Sequence, residues 1–163
     1  MNTIALDFIK FLHINNLINV LAIQHDTDDG FENRLKLQKL VYMAQECFGL
    51  DRGYSFTSYR FGPYSTTLAD HYYDDLDTSM IVKNENAGLP ERFNQDQFIK
   101  LFSEKDGRWL ELAATLVDSQ KHVNGYDKTV ETVSRIKPRY TRSDVVNVLN
   151  YLIEYKLISM DQQ

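Results

Sequence analysis

The sequence predicts a mainly α-helical fold with one small β-hairpin, and three observations carry that expectation. Apolar residues recur at spacings of three and four along several segments, the pattern of helices that bury one face. The run YSFTSYRF, residues 54–61, is rich in strand-favouring aromatics. Short polar segments marked by Gly or Pro separate these stretches, and no long linker divides the chain. With 163 residues, 43% of them apolar and 12% aromatic, there is material for one substantial core, so residues 1–163 read as a single domain.

Residues 3 to about 23 read as a first helix, with Ile4, Phe8, Leu12, Ile18 and Leu21 among its apolar positions and a bend near Asn15 and Asn16. Asp7, Lys10 and His13 interrupt this apolar run, and neither a basic segment nor a small-residue cleavage site brackets it. A buried amphipathic helix is therefore expected, not an export or membrane signal. HDTDDG, residues 25–30, reads as a loop. A second helix over 33–48 places Leu37, Leu40, Val41, Ala44 and Phe48 on one face, with Lys36, Lys39, Gln45 and Glu46 elsewhere, and Gly49 stops it.

In 54–61 the aromatics fall at 54, 56, 59 and 61, so the alternation slips once and implies a bulge or bend. Gly62-Pro63 is expected to end this extended segment. Ser65 then caps a helix running to about Leu76, with Leu68, Ala69, Tyr72, Tyr73 and Leu76 on one side and Asp70, His71, Asp74 and Asp75 on the other. Ile81-Val82, the polar run NENAGLPER and Phe93 read as a hairpin or wing. Helix, strand, helix, hairpin is the order of a winged-helix module, so 30–94 is expected to form a winged-helix-like core. Residues 95–163 form a helical C-terminal part, with helices at 95–103, 107–121 and 128–136, a break at Lys137-Pro138, and a last helix over 143–155 capped by Thr141 or Ser143.

The chain lacks the glycine-rich phosphate loops, the HExxH and CxxC metal patterns and the GxSxG elbow, so no cofactor, metal or catalytic residue is assigned. His71 and Asp75 stand one helical turn apart, the spacing of a shared metal or of an oriented imidazole, and equally of an ordinary solvated pair. Paired carboxylates such as Asp28-Asp29 and Asp74-Asp75 fall in polar runs where nothing would push their pKa values apart. The lone cysteine, Cys47, sits among Tyr42, Met43 and Phe48, which favours a packing role and a reducing, cytoplasmic setting.

A net charge of −5 opposes tight non-specific binding to nucleic acid by the whole chain. The helix that a winged-helix module would insert into DNA, 65–76, carries Asp70, Asp74 and Asp75 and no lysine or arginine. Lys121, Lys128, Arg135, Lys137, Arg139 and Arg142, set against Asp127 and Glu131, form a more basic stretch. Lys128, Arg135, Lys137, Arg139 and Arg142 are accordingly the candidate nucleic-acid contacts of an alternative, DNA-binding reading.

LQKLVYMAQECFGL (37–50), GYSF (53–56) and YRFGPYST (59–66) together resemble the YwgA-like family of small bacterial and archaeal proteins. More distantly they resemble the Panacea domain, the SocA-like antitoxin and phage-associated family, over residues 34–82. The family-type positions are Leu37, Gln38, Lys39, Leu40, Tyr42, Tyr59, Gly62, Pro63, Tyr64 and Ser65, with Phe61 where a second tyrosine is commoner. The resemblance implies an α-rich, partly winged-helix fold that acts through protein contacts. For SocA-like members this means neutralising a toxin or presenting it to a protease, and it implies no enzyme. The expectation is a regulatory, protein-binding module whose partner is basic, contacted through Tyr59, Arg60, Tyr64, Asp70 and Asp74. The same aromatics also suit a purely structural corner packed on the helix that bears Leu37 and Leu40, with hydroxyls near Gln38 or Lys39.

Overall fold

In the computed structural model, which describes residues 3–83 and 88–160, helix α1 (Thr3–Ile14) ends at the Asn15-Asn16 pair. Asn16 adopts φ 60°, a left-handed conformation that asparagine tolerates better than most residues, and the Leu17 and Ile18 amides fold back onto the Leu12 carbonyl. A 3-10 turn, Val20–Ala22, follows, so the first helix does not continue to 23. Helix α2 (Asp28–Cys47) starts before 33, because Thr27 caps it by accepting the Gly30 N–H at 2.9 Å. Asp28 and Asp29 lie in its first turn, where the helix dipole favours negative charge; of the run 25–30 expected to be loop, 25–27 precede the helix and 28–30 begin it. Gly30 is there for space: a Cβ would meet the His25 carbonyl oxygen at 2.0 Å. Gly49, at φ 65°, ends α2 as expected.

Strands β1 (Thr57–Tyr59) and β2 (Gly62–Tyr64) pair antiparallel, with Tyr59 opposite Gly62 and Ser58 opposite Pro63. Gly62-Pro63 therefore opens a second strand and does not end the extended segment. A two-stranded ribbon has only edge strands, the setting in which proline is tolerated. Ser65 caps α3 (Thr66–Asp70), its hydroxyl accepting from the Leu68 N–H at 3.2 Å. The helix then widens into a π turn, His71–Asp75, and the Gln24 amide bonds the Tyr72 and Leu76 carbonyls at 3.0 Å each. The wider turn shifts the phase of the side chains, so Tyr72 is buried while Tyr73, expected beside it on the inner side, is 51% exposed.

Helix α4 (Thr78–Lys83) takes the place of the expected wing: Ile81 is buried on a helix, and residues 84–87 of NENAGLPER lie outside the described residues. The hairpin precedes α3, so the winged-helix order does not describe this chain. Helices α5 (Gln95–Phe102), α6 (Gly107–Ser119), α7 (Tyr126–Ile136) and α8 (Arg142–Glu154) fall close to their expected positions. Thr141 and Asp144 close a reciprocal capping box at the start of α8, with bonds of 3.0 and 2.9 Å. The fold is mainly helical, with eight α-helices and one small hairpin among the described residues.

Helices α2 and α6 form the central pair, and the hairpin lies across both. At one end of the core Phe8, Phe11, Phe48, Phe93, Phe98 and Phe102 pack in a cluster centred on Phe98. The Phe98 ring centroid lies 4.8 Å from that of Phe102, 5.0 Å from Phe48 and 5.6 Å from Phe8. This cluster joins α1 and α5 to the end of α2. Phe98→Ala is expected to cost about 3–5 kcal/mol of stability in urea unfolding. Phe31→Ala, at a ring 45% exposed, should cost under about 1 kcal/mol; equal losses would contradict this placement of the core.

Candidate functional site

The corner YRFGPYST is built around two neighbouring side chains of α2. The Gln38 amide makes a reciprocal pair with the Ser65 backbone, accepting its N–H and donating to its carbonyl, both at 2.9 Å. Lys39 donates its Nζ to the Pro63 carbonyl. Both side chains are buried, including Lys39, which had been expected away from the apolar face. The LQK and GPYS segments thus meet through side-chain-to-backbone bonds.

From the opposite side, α6 supplies Glu111, a buried carboxylate. Its Oε2 accepts from Lys137 Nζ at 3.0 Å and from Arg139 Nη2 at 2.9 Å. Lys137 also donates to the Arg60 carbonyl at 3.0 Å, so the tip of the hairpin is bonded to the segment that joins α7 to α8. Gly62 sits at φ 87°, and a Cβ there would meet Thr115 Oγ1 at 2.7 Å; conformation and space both demand glycine. Asp118 completes the seat, accepting from the Tyr42 hydroxyl at 3.2 Å and the Ser58 hydroxyl at 3.3 Å.

Electrostatics under the hairpin are unbalanced, since Lys39 and Lys137 are buried beside one buried carboxylate. Burial pushes the Lys39 ammonium down to about 7; Glu111 opposes that shift and Lys137 adds to it. Burial together with the Asp118 carboxylate raises Tyr42, and burial pushes the Cys47 thiol up to about 12, consistent with packing.

The outer face of the hairpin is open. Tyr59 is 58% exposed and its ring lies 5.1 Å from that of Tyr64; Arg60 is exposed above Phe61. Two clefts flank the ribbon. One, of about 150 Å³, lies among Phe31, Phe61, Tyr64, Tyr72 and Tyr73. The other, of about 180 Å³, includes Tyr59, Pro63, Asp118, His122 and Ile136. Asp70 and Asp74 are exposed on the α3 and π-turn segment that carries Tyr73. The residues expected to meet a partner, Tyr59, Arg60, Tyr64, Asp70 and Asp74, are therefore exposed or half-buried. Phe31 and Tyr73 join them; the sequence had not marked Phe31 and had placed Tyr73 on the inner side of its helix.

Among the candidate nucleic-acid contacts the structure makes one correction. Lys137 is buried and bonded to Glu111 and Arg60, so its amine is not free to meet a phosphate. Arg139 is half-exposed and paired with Glu111, while Lys128, Arg135 and Arg142 are exposed. His71 bonds the Tyr54 hydroxyl through Nδ1 at 2.8 Å, and no group of three or more metal-ligating side chains comes together among the described residues.

The folded chain releases the Lys39 proton near 7, whereas the unfolded chain holds it to about 10.5. The contribution of this group to stability is therefore lowest below 7 and rises with pH between those values. Thermal unfolding followed from pH about 7 to about 9 should show Lys39→Met losing that rise relative to wild type; parallel profiles would contradict the assignment. Gly62→Ala is expected to destabilise by about 1–3 kcal/mol in urea unfolding, and a neutral effect would mean that the hairpin seats differently. Comparison with family models, curated proteins and solved structures finds no match to this chain.

Proposed function

We propose that this protein is a non-enzymatic regulatory module, antitoxin-like in the broad sense, that works by binding another protein through the hairpin and the acidic turn beside it. The observation that carries this reading is an exposed aromatic on a hairpin tied down from beneath, with a second exposed ring on the turn that follows. Tyr59, 58% exposed, stands on the segment whose backbone Gln38, Lys39 and Lys137 hold at Ser65, Pro63 and Arg60, and Tyr73, 51% exposed, stands on the π turn whose carbonyls Gln24 holds. Tyrosine and arginine are favoured at interface hot spots, and a platform ordered in advance loses less entropy on binding. Asp70 and Asp74 alongside give the surface a negative edge suited to a basic partner. The resemblance to YwgA-like and Panacea proteins points the same way.

The lone, half-buried Cys47 suits a cytoplasmic setting, and no helix among the described residues is long and apolar enough to cross a membrane. A DNA-binding role through Lys128, Arg135 and Arg142 ranks second, because Lys137 and Arg139 are engaged with Glu111.

The test is copurification from the native host of the tagged chain and its Tyr59→Ser/Tyr73→Ser double variant. Wild type should bring down one dominant protein; the variant should lose it while melting within about 2 °C of wild type, since both rings are largely exposed. Retention of the same partner by the double variant would contradict the reading. Salt-sensitive duplex DNA binding abolished by Arg142→Ala would favour the alternative.

A further inference from the structure

We propose that the cleft among Phe31, Phe61, Tyr64 and Tyr73 holds one apolar side chain of the partner, carried on a short segment whose lysines or arginines lie to one side of that anchor. The inference rests on the protein-binding reading and names what the partner must present. At about 150 Å³ the cleft has half the ~300 Å³ at which small-molecule sites begin, so it suits a single large side chain.

The apolar surface is free to be covered. Phe31 remains 45% and Tyr73 51% exposed with Arg34 in place, its guanidinium carbon 5.5 Å from the Tyr73 ring centre. The walls are also held. Phe31 stands edge-on to Phe61 with centroids 5.4 Å apart, and the Gln24 amide bonds the Tyr72 and Leu76 carbonyls on either side of Tyr73. Arg34, the cation that lines the cleft, gives Nη1 to the Ile23 and His25 carbonyls at 2.7 Å each, so it is anchored to the chain itself.

Charge differs between the walls. Asp74 follows Tyr73 directly, Asp70 lies about one turn before it, and Asp28 lies one turn before Phe31. All three are exposed, and none enters an ion pair among the described residues. At the Phe61 wall, by contrast, Arg60 and Arg139 stand 5.6 and 5.3 Å from the ring centre. Cations of a bound segment are therefore drawn toward Phe31 and Tyr73 and repelled at Phe61, which selects a segment with its basic residues on one side of the anchor and neutral or acidic residues on the other.

The test is selection of random short peptides displayed on phage against the full chain, with the Phe31→Ala variant as counter-selection. Enriched sequences should carry one large aliphatic or aromatic residue with lysine or arginine to one side of it. In fluorescence anisotropy a synthetic copy should bind wild type and weaken at least about tenfold when its apolar residue is replaced by alanine, a change that leaves the protein untouched. Phe31→Ala should weaken it similarly. The Asp70→Asn/Asp74→Asn double variant should also weaken it, by a margin that narrows as salt is raised, and Tyr59→Ser, outside this cleft, should bind as wild type does. No enrichment over the counter-selection, enrichment of acidic peptides, cations on both sides of the anchor, or full affinity in the alanine peptide would overturn the proposal. Self-association of the chain that Phe31→Ala abolishes would seat a second copy in the cleft and overturn it as well. A native-host partner that Phe31→Ala still retains would overturn it while leaving the protein-binding reading intact; recovery of no partner by wild type would instead count against that reading.

Discussion

Beneath the hairpin one buried carboxylate serves two cations. Glu111 Oε2 holds Lys137 and Arg139, while Lys39, also buried, reaches the Pro63 carbonyl from the other side. Removing charges from water is costly, and ion pairing repays it only when the remaining donors and acceptors are satisfied. Here the hairpin backbone provides that satisfaction: the Pro63 carbonyl for Lys39, the Arg60 carbonyl for Lys137 and both Ser65 backbone groups for Gln38. Moving the ribbon would leave buried polar groups unpaired on α2, α6 and the segment after α7 together. That makes its seat specific, whereas a well-packed apolar substitute would match it for net stability only by giving up these bonds.

The clamp also accounts for the character of the exposed face. Strand β2 is turned toward α2 and α6, with Gly62 and Pro63 buried, so β1 and the turn carry Tyr59 and Arg60 outward. The π turn does the equivalent for Tyr73, and the Gln24 amide satisfies carbonyls of that segment. Two separate irregularities, a glycine-initiated strand and a widened helical turn, accompany exposed aromatic rings, Tyr59 and Tyr73, one at each of the two clefts that flank the ribbon. Each irregularity is stabilised from within the protein, so both segments are ordered without any ligand, as the proposed binding role requires.

Much of the helical architecture was legible, because α2, α6 and α8 carry apolar positions at helical spacing over many residues. The corner residues Gln38, Lys39, Gly62, Pro63 and Ser65 were marked by their pattern, but their pairing was not, since side-chain-to-backbone bonds leave no periodic trace. Glu111 and Lys137 went unrecognised as a pair: one sits in an apolar helix and the other, 26 residues later, in a basic stretch that reads as surface. A single charge within the run LELAATLV was the available signal. The wing expected around Ile81 failed because a two-residue β-branched run cannot by itself distinguish strand from buried helix, and tertiary packing placed Ile81 inside α4. The π turn was illegible for a related reason, its phase shift depending on Gln24, distant in sequence.

The most direct measurement of the central claim is native-state amide hydrogen exchange at Ser65, whose N–H ends on the buried Gln38 side chain. If the clamp fixes the hairpin, this amide exchanges only with opening as costly as that of the α2 and α6 core. Fast exchange at Ser65 while core amides of α2 remain protected would show a ribbon that moves independently, and would contradict the account.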